Sequence, residues 1–366
     1  MYKKIISYLI LLTICFIVTS AAFSGYFSKR AFYDTDKLYG DLSVINVFKG
    51  EAPKPYVYRQ LLPYSATFIH DKLPDSMKEK VKNWITKDRG GINNNVIHNT
   101  YAQAIDSDKS EIIIQYYLLY IFSFISLFLS VLILRKVCLE FGVDKPSATV
   151  APMLFILLLP YLQTEGGFFY DMTEIFFMAT AVLFAQKKQY LFLIFLVAFA
   201  TINKESFLAF TLTLIPFLIK DLGLKKAAVY QASLMTIAAL INFWIKAKYA
   251  ANSGGAVESH FIQQVSAFLN ISSYFRYDFV YGIIAPKGYN ILTILLLATT
   301  VKSSYHLLPR VAKQHTLAAF AVNLPLFLLF CFPGELRNLS FLFVSLNLII
   351  CFGISQYFRK EINRTA

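Results

Sequence analysis

The chain has 366 residues, 57% of them hydrophobic and 16% aromatic, and this apolar content excludes intrinsic disorder. Only 16% are charged, against about 25% in an ordinary soluble domain. The formal net charge of +13 fits either a nucleic-acid binder or a membrane protein with basic cytoplasmic loops, and apolar runs of spanning length, about 20 residues, favour the second.

Ten apolar segments predict membrane spans, at roughly 5–23, 112–134, 147–163, 170–186, 189–203, 205–219, 226–245, 282–301, 315–332 and 339–357. The expected fold is an all-α integral membrane protein forming one polytopic domain over 1–366. Segment 5–23 follows Met-Tyr-Lys-Lys and ends in Thr-Ser-Ala-Ala, so it reads as a cleavable signal or a retained anchor. Its apolar stretch is longer than a usual signal core, which favours the anchor. Residues 24–111 then form a large first extracytoplasmic loop holding 24 of the 57 charged residues. Within it Leu61, Leu62, Tyr64, Ile69 and Leu73 predict an amphipathic interfacial helix, Asp75 to Lys87 a second short helix, and Asn93-Asn94-Asn95 a turn.

Segment 189–219 holds two apolar runs broken by Asn203-Lys204-Glu205. One helix of that length would measure ~45 Å, too long for a ~30 Å hydrocarbon core. Two crossings joined by a tight turn are expected instead. A second outer loop follows at 246–281, with Gly254-Gly255 and the aromatic cluster Tyr274-Phe275-Arg276-Tyr277 suited to an interfacial belt. With the N-terminus in the cytoplasm and the spans alternating, cytoplasmic segments collect 16 positive residues against four acids, or +12. The first loop then carries +2 and the rest of the outer side −1. Both termini come out cytoplasmic, the charge becomes a topology signal, and nucleic acid drops out as a partner.

The unusual polar groups gather on the outer side. Asp34 and Asp36 follow the first span, with Asp41 and Glu51 beyond, and then Pro55-Tyr56-Val57-Tyr58-Arg59-Gln60-Leu61-Leu62-Pro63-Tyr64. Glu165 to Glu174 opens the fourth span, Asn203-Lys204-Glu205-Ser206 forms the turn, and Pro333-Gly334-Glu335-Leu336-Arg337-Asn338 opens the last span. Ionisable groups at membrane edges are costly unless paired or solvated, and by default are functional candidates. Each also has a plainer reading. Asp34 and Asp36 could be ordinary loop acids. Asp171 and Glu174, three apart on one helix face, could cap the helix and complement its dipole. Lys204 and Glu205 could serve only as a turn. Arg337 could pair with Glu335, snorkel, or hold an anion with its planar fork.

Several chemistries are excluded or unsupported. No Walker A motif, no GxGxxG, no Gly-x-Ser-x-Gly elbow, no CxxC and no His pair at zinc-helix spacing occurs. Cys15, Cys138, Cys331 and Cys351 are scattered, three of them within apolar runs, so a disulfide scaffold is excluded. Asn270-Ile-Ser272 and Asn338-Leu-Ser340 match the N-glycosylation triplet, a pattern common by chance.

The large first loop, Asp34-x-Asp36, Tyr58 to Tyr64, Phe169-Tyr170-Asp171 and Asn203-Lys204-Glu205 together resemble the GT-C class of membrane glycosyltransferases. The resemblance covers the whole chain as architecture, though a large C-terminal soluble domain is missing, which leaves acceptor specificity open. It implies transfer of a sugar from a polyprenyl-phosphate-linked donor to a glycan, lipid or protein acceptor, on the extracytoplasmic face of a bacterial inner membrane. It also implies an essential acid in the first loop. Asp34 or Asp36 is then the expected general base. Arg59, Lys204 and Arg337 are expected at the departing phosphate. Asp171, Glu174 and Glu205 complete the substrate-binding set. Beyond the lipid-linked donor no cofactor is implied. Asp171 and Glu174 could orient sugar hydroxyls or a divalent ion, but two carboxylates are too few to define a metal site. Two other functions fit the same features: an O-antigen or capsule polymerase, and a lipid-linked glycan transporter without chemistry. The polymerase would favour a large outer loop late in the chain. The transporter would favour polar residues at mid-span.

Overall fold

The computed structural model describes residues 2–32, 42–87, 94–163, 167–255 and 258–365. In chain order the helices are α1 (Tyr2–Arg30), α2 (Val44–Lys49), α3 (Leu61–Lys72), α4 (Asp75–Thr86), α5 (Val96–Thr100), α6 (Ile113–Glu140), α7 (Lys145–Leu162), α8 (Phe169–Gln186), α9 (Tyr190–Asn203), α10 (Phe207–Phe210), α11 (Ile215–Lys248) and α12 (Phe261–Leu269). Strands β1 (Tyr277–Val280) and β2 (Ile283–Pro286) follow, then α13 (Ile291–Ser304), α14 (Arg310–Phe330) and α15 (Phe343–Thr365).

Among the described residues, five helical stretches are long and apolar enough to cross a membrane: 5–30, 113–140, 145–162, 207–248 and 336–359. The chain is therefore a multi-pass helical membrane protein. α9 and α13 are apolar but shorter. Many large apolar side chains face outward, among them Ile17 (61% exposed), Phe192 (60%) and Phe243 (75%). A lipid environment accounts for such a surface; water would penalise it.

The helix ends follow local chemistry. Asp144 Oδ1 accepts from the Ser147 backbone N–H at 2.9 Å and starts α7, with Pro146 in the first turn. α9 stops at Asn203, Lys204 is extended, and α10 starts at Phe207, so the expected break within 189–219 is present. The expected spans 205–219 and 226–245 become two parts of one long element, separated where Gly223 leaves helical geometry (φ 73°, ψ 164°). α3 and α4 appear where the first loop predicted them.

Three expectations need correction. Residues 24–30 belong to α1, so the first loop starts later than 24. The second loop does not end at 281, and the span placed at 282–301 does not start there. Ile283 to Pro286 pairs antiparallel with Tyr277 to Val280, Phe279 standing opposite Ile284. The turn residues Tyr281 (φ 55°) and Gly282 (φ 77°) both lie in the left-handed region that a tight two-residue hairpin requires. The helix begins only after Asn290, whose Oδ1 accepts from Leu292 N–H at 3.0 Å. The protein is thus mostly helical, compatible with the all-α membrane class expected, and carries one short hairpin among the described residues.

α6 packs along α8, α7 against α15, α1 and α6, and α9 against α8 and α11. Buried aromatics fill the seams, with Phe27 edge-on to Phe32, Tyr101 and Tyr120 at 4.9–5.0 Å between ring centroids. Small residues let α13 approach α15: a Cβ built on Gly353 would fall 2.4 Å from Ser304 Oγ and 3.3 Å from its Cβ. Gly353→Leu should therefore lower unfolding stability in detergent by about 1–3 kcal/mol, as overpacking does. A denaturant titration followed by circular dichroism checks this, and an unchanged midpoint would show that the seam yields freely.

Candidate functional site

The end of α1, the end of α7, the start of α8 and the end of α9 meet at one end of the bundle, together with the turn between α14 and α15. Four loop or helix-end segments deliver charge to this point. Arg59 lies between the 3₁₀ turn Tyr56–Tyr58 and α3. Asp171 and Glu174 lie in the first turns of α8, Lys204 and Glu205 follow α9, and Glu335 and Arg337 precede α15.

These residues form four ion pairs around three cations. Arg59 clamps Glu205 with two nitrogens, Nη2 to Oε1 at 2.8 Å and Nε to Oε2 at 3.2 Å, and also donates to the Tyr170 hydroxyl. Lys204 Nζ lies 2.8 Å from Glu174 Oε2. Glu174 Oε1 accepts from Ser340 Oγ at 3.1 Å and Ser206 Oγ at 3.3 Å. Arg337 Nη1 bridges both oxygens of Asp171 at 3.1 and 3.2 Å, and its Nη2 reaches Glu335 Oε1 at 3.2 Å. Glu335 Oε2 takes the Asn338 side chain at 2.9 Å and the Phe332 backbone N–H at 3.2 Å.

Aromatic rings separate the pairs. The Arg59 guanidinium sits 4.3 Å from the Tyr170 ring centroid, and Lys204 Nζ 5.5 Å from the same ring. Tyr170 stacks on Phe168 at 5.1 Å, and Arg337 lies 5.0 Å from Phe168. The three cations therefore share two stacked rings, whose negative faces attract positive charge.

Burial explains why the pairing is so complete. Asp171 is 7% exposed, Glu174 3%, Lys204 8% and Glu335 7%. An ion at such depth costs several kcal/mol unless a counter-ion and hydrogen bonds compensate. The Arg59 guanidinium, 2.8 Å from Glu205, offsets the cost of withdrawing that carboxylate from water. Burial likewise works against the Arg59 charge, and Glu205 and Tyr170 reverse the effect. Two donor atoms in the region remain unmatched: Arg337 Nε and Gln163 Nε2 are buried with no hydrogen-bond partner. A cavity of about 10 Å³, lined by Tyr26, Asp171, Glu174, Arg337 and apolar neighbours, opens beside them. That is about the room one water needs.

All six expected binding residues, Arg59, Asp171, Glu174, Lys204, Glu205 and Arg337, thus gather in one cluster. Asp34, Asp36, Asp41 and Glu165 lie outside the described residues. The plain and functional readings of Asp171 turn out not to compete. Its Oδ2 accepts from Phe168 N–H at 3.0 Å, as a cap should, and the same carboxylate holds Arg337. Arg337 pairs with Glu335 and with Asp171. Tyr26, whose hydroxyl donates to Asp171 Oδ2, carries no signal in a chain with 23 tyrosines. Ser340 and Asn338, which match a glycosylation triplet, serve Glu174 and Glu335. Among the described residues, no three His, Cys, Asp or Glu side chains gather as metal ligands would.

Comparison with known proteins finds no matching family model, no similar curated protein and no similar solved structure.

Glu174→Gln or Lys204→Met alone leaves a buried charge uncompensated and should cost about 3–5 kcal/mol. The double variant should cost less than the two singles added, by about 0.5–3 kcal/mol. Unfolding in detergent measures all three, and strict additivity would show that the pair is not energetically coupled.

Proposed function

We propose that the protein transfers a sugar from a polyprenyl-phosphate donor to a glycan, lipid or protein acceptor at the outer face of a bacterial cytoplasmic membrane. One observation carries the reading: three cations whose side chains are only 10–11% exposed converge at one end of a membrane bundle, and one of them, Arg337, keeps an unmatched donor nitrogen. A lipid-borne phosphate needs such an arrangement. Its charge must leave water, and guanidinium groups match phosphate oxygens in shape and sign.

In this reading an acceptor hydroxyl oxygen attacks the anomeric carbon. A bond from that oxygen to the sugar forms, the bond from the sugar to the phosphate oxygen breaks, and the lipid phosphate departs with the electron pair. The hydroxyl proton passes to Asp34 or Asp36 as general base. Arg59, Lys204 and Arg337 stabilise the charge that grows on the phosphate. Asp171, Glu174 and Glu205 act as positioning residues, because each holds one cation in place. Pre-formed pairs of this kind supply a fixed, low-dielectric field. The same reading takes ten crossings with both termini cytoplasmic and segment 5–23 retained as an anchor.

Membranes containing the protein can be supplied with a panel of polyprenyl-phosphate hexoses and pentoses, and transfer followed by mass spectrometry of extracted lipids and glycans. Asp34→Asn and Asp36→Asn are expected to reach the membrane and one or both to abolish transfer, while Arg337→Gln lowers it about 10²–10³-fold. Wild-type rates in both aspartate variants would sink the catalytic assignment. Products lengthened by whole repeat units, not single sugars, would favour the polymerase.

Topology has its own test. In a cysteine-free background, a cysteine at Lys188 should resist a membrane-impermeant maleimide in intact cells, whereas cysteines at Glu79 and Asn252 should react. Labelling of all three from outside would overturn the alternating map.

A further inference from the structure

Helix α12 (Phe261–Leu269) is packed inside out for a segment in water. Of its residues only Gln264 is buried, whereas Ile262 and Leu269 are each 82% exposed and Phe261, Val265 and Phe268 are 39–46% exposed. A helix against water turns such apolar side chains inward and its amides outward. No Asp, Glu, Lys or Arg occurs from Ser259 to Phe275, the stretch that holds α12. The inward amide is used at both ends. Gln264 Nε2 donates to Cys331 O at 2.9 Å, with Phe327 O and Phe332 O at 3.3 and 3.4 Å, and Oε1 accepts from the Tyr289 hydroxyl. Carbonyls at a helix C-terminus lack partners within the helix, so α12 caps α14 from outside.

These bonds also fix the level at which α12 sits. Leu336, four residues after Phe332, opens the apolar stretch 336–359 that is long enough to cross a membrane. α12 is therefore fastened just before the start of a span. Its nine residues rise about 14 Å, far short of a ~30 Å hydrocarbon core, so α12 is no crossing itself. His260 donates its backbone N–H to Leu329 O at 2.8 Å and lays its ring 4.1 Å from that of Phe332. The bonds from Gln264 and His260 thus all fall within Phe327–Phe332, and α12 runs across the end of α14 and not along it. Its exposed face adjoins the exposed Phe330 and Phe332 on one side. On the other, Phe268 packs against Tyr289 at 4.8 Å between centroids, two residues before α13, whose Leu292, Leu295 and Leu296 are exposed. The outward face of α12 is continuous with the apolar surface of the bundle.

We propose that α12 lies in the plane of the membrane at its boundary, with Phe261, Ile262, Val265, Phe268 and Leu269 among lipid acyl chains and Gln264 fastening it to the end of α14. Lipid is the occupant that fits, because the face carries no charge, joins the membrane-facing surface directly and begins where a span begins. Aqueous solvent would penalise every one of these side chains. This placement does not depend on the sugar-transfer reading.

Power-saturation electron paramagnetic resonance tests it on the full-length protein in phosphatidylcholine nanodiscs. In a cysteine-free background, nitroxides are attached through Ile262→Cys or Leu269→Cys, the two most exposed positions of α12, and through Glu79→Cys as an exposed reference. At 262 and 269 the ratio of relaxation by oxygen to relaxation by a water-soluble nickel chelate should exceed that at 79 several-fold. A ratio equal to that at 79 in both variants overturns the proposal. So does spin–spin coupling between copies at 262 or 269, which would place a second copy of the chain on this face. The wild-type protein gives a reading that needs no substitution. Phosphatidylcholine carrying a diazirine midway along one acyl chain should, on illumination, form adducts within Phe261–Leu269, located by peptide mass spectrometry. Adducts on the crossing helices with none on α12 overturn the proposal as well.

Discussion

Everything at this end of the bundle depends on keeping Arg59, Lys204 and Arg337 charged while they are nearly removed from solvent. A lone buried cation is costly by several kcal/mol. Each of these has a carboxylate within 3.2 Å and an aromatic face within 5.5 Å. The partners come from distant parts of the chain: Arg59 and Glu205 are 146 residues apart, Asp171 and Arg337 166. Satisfying the charges therefore requires the segment before α3, the start of α8, the α9–α10 turn and the approach to α15 to arrive at one place. Buried ion pairs are weak evidence for stability but strong constraints on arrangement, because any misplaced element leaves a charge exposed to low dielectric.

The hydrogen bonds around the pairs extend that constraint outward. Asn203 donates to Tyr170 O at 3.1 Å and so fixes the end of α9 to the start of α8. Asn323 donates to Asn338 O at 2.9 Å and accepts from Phe341 N–H at 3.1 Å, which pins the irregular approach to α15 onto α14. Gly167 sits where no side chain fits, since a Cβ there would lie 2.5 Å from the Tyr26 ring. That ring presents its hydroxyl to Asp171. Irregular backbone within a membrane protein is tolerated where protein surrounds it, and these bonds supply the surroundings.

Much of this was legible in the sequence, and the failures have physical causes. Asn203-Lys204-Glu205 could be read as a break because a charged triplet cannot continue an apolar helix in lipid. The residues that collect at the site were legible for the same reason: charge at the edge of an apolar run is expensive and must be used. Their pairing was not, because pairing is tertiary. Arg59 shares its loop with Asp34 and Asp36, yet its described partner is Glu205, 146 residues further on. The hairpin was missed because only five residues separate Ile283-Ile284-Ala285 from the apolar run that starts at Ile291, and apolarity alone does not separate a short strand from a helix. Gly282 and Gly288, both with positive φ, were the signals that could have divided them. Tyr26 gave none.

The length of α9 adds a constraint of its own. Its 14 residues rise about 21 Å, short of a hydrocarbon core of about 30 Å. In the alternating topology proposed above, a crossing that begins beside Lys187 and Lys188 would bring Asn203 and Lys204 to about 9 Å short of the opposite hydrocarbon boundary. At that depth neither headgroups nor bulk water would neutralise Lys204, and Glu174 does so from within the protein at 2.8 Å. A phosphate arriving on a lipid would meet these cations by moving only a short way down from the interface. The recess that makes the ion pairs obligatory is also what would let a lipid-borne phosphate reach them without its chain leaving the bilayer.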